Sequence, residues 1–125
     1  MPTIKISAGT VSVFAELNDS PTAAAIYDAL PIEARGNRWG EEIYFRIPVD
    51  EPLSGDSRAE MALGELGYWP PGNAFCIFFG PTPASVGPEP QAASPVNPLG
   101  YVVGDATIFT AVRDGTAVTL TQAEG

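Results

Sequence analysis

Thirteen glycines and thirteen prolines are scattered along this 125-residue chain, and they leave little room for helices of ordinary length. Proline inside a helix costs about 3 kcal/mol and glycine about 1 kcal/mol relative to alanine. A helical bundle is therefore excluded. What fits between the interruptions is a series of short extended segments joined by turns. Hydrophobic residues make up 45% of the chain, enough for a real core and too many for disorder. The length suits one domain over residues 1–125 and is short for two.

The apolar residues alternate as strands require. Ile4 and Ile6 alternate with Thr3, Lys5 and Ser7, and after Ala8-Gly9-Thr10 the pattern resumes at Val11, Val13, Ala15 and Leu17. Period-two alternation around a glycine turn predicts a β-hairpin, with Phe14 breaking the pattern to cover a sheet or barrel end. Ser20-Pro21 predicts a helix start, serine as N-cap and proline in the first turn, and Pro31 stops the helix after Leu30. Ile32 to Arg38 reads as a strand, and Trp39-Gly40 as a turn. In Glu42 to Ile47, Ile43, Phe45 and Ile47 share one face, and Glu42, Tyr44 and Arg46 the other. Pro48 to Ala59 reads as loop. Glu65–Trp69 and Ala74–Phe79 read as strands around the turn Pro70-Pro71-Gly72. Pro81 to Pro98 carries six prolines and reads as a long irregular segment packed over the surface. Leu99 to Val103 and Val118 to Leu120 complete the strands, with Asp105 capping a short helix through Val112. Seven or eight short strands with two short helices predict a mainly β, closed or nearly closed antiparallel barrel.

Charge and composition exclude several functions. Fifteen acidic against six basic residues give a net charge of -9, a field that repels phosphate backbones, so no nucleic-acid partner is expected. The chain has no histidine, which removes Ser-His-Asp and Cys-His nucleophiles, histidine zinc sites and histidine general bases. The one cysteine, Cys76, lies in the apolar run Ala74 to Phe79 and reads as a buried core thiol. The N-terminus lacks the apolar stretch of a signal peptide, and no run is long enough to span a membrane, so a cytoplasmic protein without a membrane partner is expected. Asp50, Glu51 and Asp56 match no recognised calcium-loop spacing. With no phosphate-binding glycine motif either, no metal and no cofactor are expected.

Four stretches carry a resemblance. They are Trp39-Gly40-Glu41-Glu42-Ile43-Tyr44-Phe45, Gly67-Tyr68-Trp69-Pro70-Pro71-Gly72, Phe78-Phe79-Gly80-Pro81-Thr82-Pro83 and Ser94-Pro95-Val96-Asn97-Pro98-Leu99-Gly100. In order and spacing the chain resembles, over nearly its whole length, the short prokaryotic cyclophilin-like proteins, also called atypical cyclophilins and largely uncharacterised. The resemblance implies a cyclophilin-like barrel of about eight antiparallel strands capped by one or two short helices. True cyclophilins carry a histidine before their late strand and a Phe-His-Arg strand motif. Neither is present, so their isomerase residues are not carried over.

The candidate ligand-binding residues are Glu42, Tyr44, Arg46, Tyr68, Trp69 and Phe79. Glu42, Tyr44 and Arg46 form a charge-aromatic-charge stripe, which either holds a ligand or makes a cross-strand ion pair. Tyr68 and Trp69 are stiffened by Pro70-Pro71 and either present flat faces to a ligand or plug a barrel end. The strand Ala74 to Phe79 is apolar on both faces; it is either covered on both sides or floors a pocket with one. The leading expectation is a module binding a small molecule or peptide in a surface cleft, without the catalysis of true cyclophilins. The alternative is a weak peptidyl-prolyl isomerase, the leading class if the chain is an enzyme. An acid-base enzyme built on carboxylates and tyrosine ranks third.

Overall fold

The computed structural model describes residues 2–123. Its ten strands are β1 (Thr3–Ala8), β2 (Val11–Leu17), β3 (Ile32–Arg35), β4 (Asn37–Arg38), β5 (Glu42–Arg46), β6 (Arg58–Glu60), β7 (Glu65–Trp69), β8 (Ala74–Phe78), β9 (Gln91–Val102) and β10 (Ala117–Gln122). One α-helix, α1 (Pro21–Ala29), and 3-10 turns at Pro70–Gly72 and Ala106–Ala111 accompany them. Strand pairing is antiparallel throughout, in the order β3-β10-β1-β2-β9-β7-β8-β5-β4, with β6 attached to β9 off this path. Among the described residues no helix is long and apolar enough to cross a membrane.

Local chemistry accounts for most of these boundaries. The β1–β2 hairpin turns at Gly9-Thr10 and buries Ile4, Ile6, Val11, Val13, Ala15 and Leu17. Phe14 follows the alternation outward and is 52% exposed, so it covers nothing. Ser20 Oγ accepts from the Ala23 amide, Pro21 occupies the first turn, and Leu30 caps the end of α1. Asp105 accepts from the Thr107 amide at the start of the last 3-10 turn.

Two expectations need correction. Among the described residues the ladders do not run as an uninterrupted ring. Its hydrogen-bonded path is open, ending at β3 and β4, and these two strands are consecutive in the chain. β3 pairs with β10 and β4 with β5, so a single extended segment serves both edges by changing partner at Gly36. Gly36 still donates to Thr116 O and accepts from Gly115 N, both at 2.8 Å, so the end of β3 stays tied to the turn before β10.

The second correction is the proline-rich segment. Its latter half is strand, because β9 runs from Gln91 through Pro95 and Pro98 to Val102. The far half of β9 pairs with β2 and β7, whereas the near half pairs with β6, from the stretch expected to be loop. Proline is tolerated where a ladder does not need its N–H, and the register shift in the β6–β9 pairing shows such an irregular ladder.

Two apolar clusters result. The inner one holds Ile43, Phe45, Ile47, Leu66, Tyr68, Phe75, Ile77 and Phe79 with the β1–β2 and β10 residues and α1. The outer one holds Met61, Ala74, Cys76, Phe78, Ala92 and Val96, with Tyr44, Ala59 and Trp69 at its margin. β8 separates them: Phe75 and Ile77 point inward, Ala74, Cys76 and Phe78 outward. The near half of β9 lies against that outer face. Gly67 permits the approach, since a Cβ there would meet Val96 Cγ2 at 2.7 Å.

Tyr68 belongs to the inner cluster and is wholly buried. Its hydroxyl donates to Val49 O at 2.6 Å and accepts from the Glu51 amide and the Asn73 side-chain amide. The ring thus ties the loop after β5 to the sheet. Tyr68→Phe is expected to cost about 1–2 kcal/mol in chemical denaturation, because three polar groups lose a partner.

Candidate functional site

Between the outer face of β5, β8 and β7 and the near half of β9 lies a pocket of about 240 Å3. Its lining is Trp39, Glu42, Tyr44, Trp69, Cys76, Ala92, Ala93 and Val96. Sheet register assembles the floor and one wall, with Tyr44 opposite Cys76, Cys76 opposite Gly67, and Trp69 opposite Ala74. Trp69 Nε1 donates to Ser94 Oγ at 2.7 Å, which fixes the indole to β9. Ala93 is exposed, so the mouth opens to solvent there.

Trp39 is carried by the tight turn before β5, in which Trp39 and Glu42 exchange both backbone hydrogen bonds. Arg38 stiffens this turn. Its guanidinium donates to the carbonyls of Gly40, Thr110 and Val112, pairs with Glu41 at 3.0 Å, and lies 4.9 Å from the centre of the Phe79 ring. The Glu41 and Phe79 amides donate to Pro81 O and Glu41 O. Of the adjacent pair Glu41-Glu42, the first is therefore a structural partner of Arg38, and the second faces the pocket.

Glu42 is 5% exposed. Its Oε1 is, among the described residues, the one buried side-chain nitrogen or oxygen without a hydrogen-bond partner. Burial pushes the carboxyl up from 4.5 to about 7, against a weaker downward pull from the neighbouring Cys76 thiol. Burial, and then the Glu42 charge, hold Cys76 well above its usual range, so it remains a thiol and is no nucleophile. Neither arginine nor lysine is among the lining residues. The site offers aromatic and aliphatic walls and one carboxyl with an unpartnered oxygen.

A wider hollow of about 580 Å3 lies beside β6 and the Pro81–Pro90 loop and includes Arg58, Glu60, Glu65, Gln91 and Tyr101. It has less to offer a ligand. Its buried carboxylate, Glu65, is already engaged by both terminal nitrogens of Arg58 and by the Ala62 amide.

Of the six candidate residues, Glu42, Tyr44 and Trp69 meet in the pocket. The other three lie elsewhere. Arg46 is exposed and lines a separate hollow with Pro48, Asp50 and Asn73. Tyr68 faces the inner core because it neighbours Trp69, and adjacent strand residues point to opposite faces. Phe79 is 2% exposed, with its ring 6.0 Å from that of Phe109 in the same core. The sequence places a ligand against the Trp39-to-Arg46 and Tyr68-to-Phe79 segments, which include Trp39 and Cys76 without singling them out, and it leaves out Ala92, Ala93 and Val96. The two-sided apolarity of Ala74 to Phe79 was the signal for a floor at Cys76. Nothing in the proline-rich segment advertised the β9 wall. Among the described residues, no group of three or more Cys, Asp or Glu side chains is placed to hold a metal ion.

No protein of curated function matches the chain. Among solved structures it is similar to the hypothetical protein AF2241 from Archaeoglobus fulgidus, determined in solution. The two share 37% identity over 98% of this chain and 95% of the other, with a TM-score of 0.83. The family profile described as cyclophilin-like matches residues 2–121. With that match across nearly its whole length, and with the fold shared by a relative of such identity, the chain belongs to the cyclophilin-like family.

Proposed function

We propose that this chain is a binding protein that takes a small, mostly apolar molecule into the pocket between β5, β8 and β9. The observation that carries the reading is the buried Glu42 carboxyl, one oxygen of it without a partner, in the lining of an otherwise apolar and aromatic cavity. A few placed polar groups among apolar walls are what small-molecule sites present. A buried polar atom left without a partner costs about 1–3 kcal/mol, which a ligand hydrogen bond to this carboxyl recovers on entry. Size bounds the ligand, because a cavity of about 150 Å3 takes benzene. The present 240 Å3 therefore suits one ring with a short arm. An extended peptide is too large to enter whole and would place one side chain inside.

Proline isomerisation draws no support from this arrangement, since Arg46 borders another hollow and no cation lines the pocket. The binding reading is tested by melting the protein with a set of ring-containing fragments and titrating those that raise the melting temperature. Tyr44 is half-buried at the margin of the outer cluster. Tyr44→Ala is expected to weaken such fragments by about 1 kcal/mol while moving the melting temperature of the free protein little. Absence of any fragment-dependent shift in the wild type would overturn the reading.

A further inference from the structure

We infer that the ligand is a lipophilic amine, its ammonium N–H donating to the Glu42 carboxylate and its apolar body resting among Trp39, Tyr44, Trp69 and Val96. The inference rests on the binding reading above and adds the chemical class of the occupant.

Three observations support it. The first is the imbalance of donors and acceptors. Glu42 brings an oxygen with no partner, and no arginine or lysine lines the pocket to neutralise it. Trp69 Nε1 is already committed to Ser94, and the thiol of Cys76 is a weak donor. A ligand donor satisfies the acid once it is ionised; an ammonium draws its proton off, whereas a carboxylate or phosphate would place like charge beside the ionised form.

The second is the wall. Two tryptophans and a tyrosine line the same pocket as this acid, and aromatic rings attract ammonium groups electrostatically, most strongly where water is excluded. A neutral alcohol would satisfy the hydrogen bond and forgo that attraction. The third is the chain's net charge of -9, which enriches cations at its surface over anions of the same size.

The titratable groups around the acid are few. Cys76 faces it from β8 and Tyr44 stands two residues along β5, while Glu41 on the preceding turn is held by Arg38. Burial, not a neighbouring charge, raises the Glu42 carboxyl. A cation entering the pocket should therefore favour its ionised form and release a proton to solvent.

The test uses 2-phenylethylamine, 2-phenylethanol and phenylacetate, three probes of one shape and different charge, titrated calorimetrically into the whole protein. The amine is expected to bind about tenfold or more tighter than the alcohol, as a charge-assisted hydrogen bond implies, and phenylacetate not to bind. Glu42→Gln is expected to bring amine and alcohol to parity. A readout independent of any variant is the proton count, obtained near pH 6.5 in two buffers of different ionisation heat. The amine should release protons and the alcohol should not. Equal binding of amine and alcohol by the wild type, or an amine that releases no proton, overturns the amine assignment and leaves the pocket reading in place. Binding of none of these probes, with no other ring fragment shifting the melting temperature, overturns both.

Discussion

Between about pH 4 and pH 8 the stability difference between the wild type and Glu42→Gln is expected to move by roughly 3 kcal/mol, against the wild type. The unfolded chain ionises Glu42 near its ordinary value of 4.5, whereas the folded chain holds the proton to about 7. Below both values each state carries the proton and the difference is flat. In the window between them the unfolded chain releases the proton and the folded chain keeps it. Each unit of pH then favours unfolding by about 1.4 kcal/mol. Above the folded value both are ionised, and the penalty of a buried carboxylate without a partner is fully expressed. Other carboxyls titrate over the same range, so the measurement is the difference between the two proteins in urea unfolding at several pH values. A difference that stays constant would mean that the pocket does not isolate this acid from water, and the argument for a ligand donor would fall with it.

Gly100→Ala is expected to remove about 4 kcal/mol or more, a large part of the roughly 5–15 kcal/mol that keeps an ordinary domain folded. Gly100 has φ of +140°, a conformation that side-chain-bearing residues avoid, and it stands where β9 crosses from Leu17 on β2 to Leu66 on β7. A Cβ there would fall within the van der Waals envelope of the Glu16 carbonyl oxygen, backbone that cannot swing aside as a side-chain tip does. Gly104→Ala is the comparison. Its φ of +91° is also unfavourable, but nothing lies within 4 Å of the added carbon, so about 1–2 kcal/mol is expected. Equal losses at the two positions would show that backbone strain alone governs both and that the crossing has room to give.

The parts of this fold that were legible in sequence are those set by local rules. The β1–β2 hairpin follows from alternation, α1 from Ser20 and Pro21, the orientation of β5 from Ile43, Phe45 and Ile47, and the last 3-10 turn from Asp105. What was not legible depends on partners distant in the chain. Arg58 to Glu60 is polar and becomes a strand because β9 arrives to pair with it. Pro95 and Pro98 argue against a strand, yet β9 has neighbours that do not need their N–H groups. The open path arises because Ile32 to Arg38 serves two edges, a matter of topology on which its residues are silent. For the site, one face of β5 supplied Glu42 and Tyr44. Arg46 departs because it reaches the end of the strand and solvent. Tyr68 and Trp69 stand as one surface in the sequence, although the pleat sends them to opposite sides.

That pleat has a consequence for how such a chain changes over time. On β5 and β8 the even-numbered residues, Glu42, Tyr44, Ala74, Cys76 and Phe78, face outward, and the odd-numbered Ile43, Phe45, Phe75 and Ile77 face inward. Two sets of side chains thus share one backbone without sharing neighbours. Substitutions at Tyr44, Cys76, Ala92 or Ala93 can reshape what the cavity accepts while the interior that maintains the fold keeps its own contacts. The residues of the outer face can therefore vary among relatives of this chain, or be changed by design, with the inner cluster left intact.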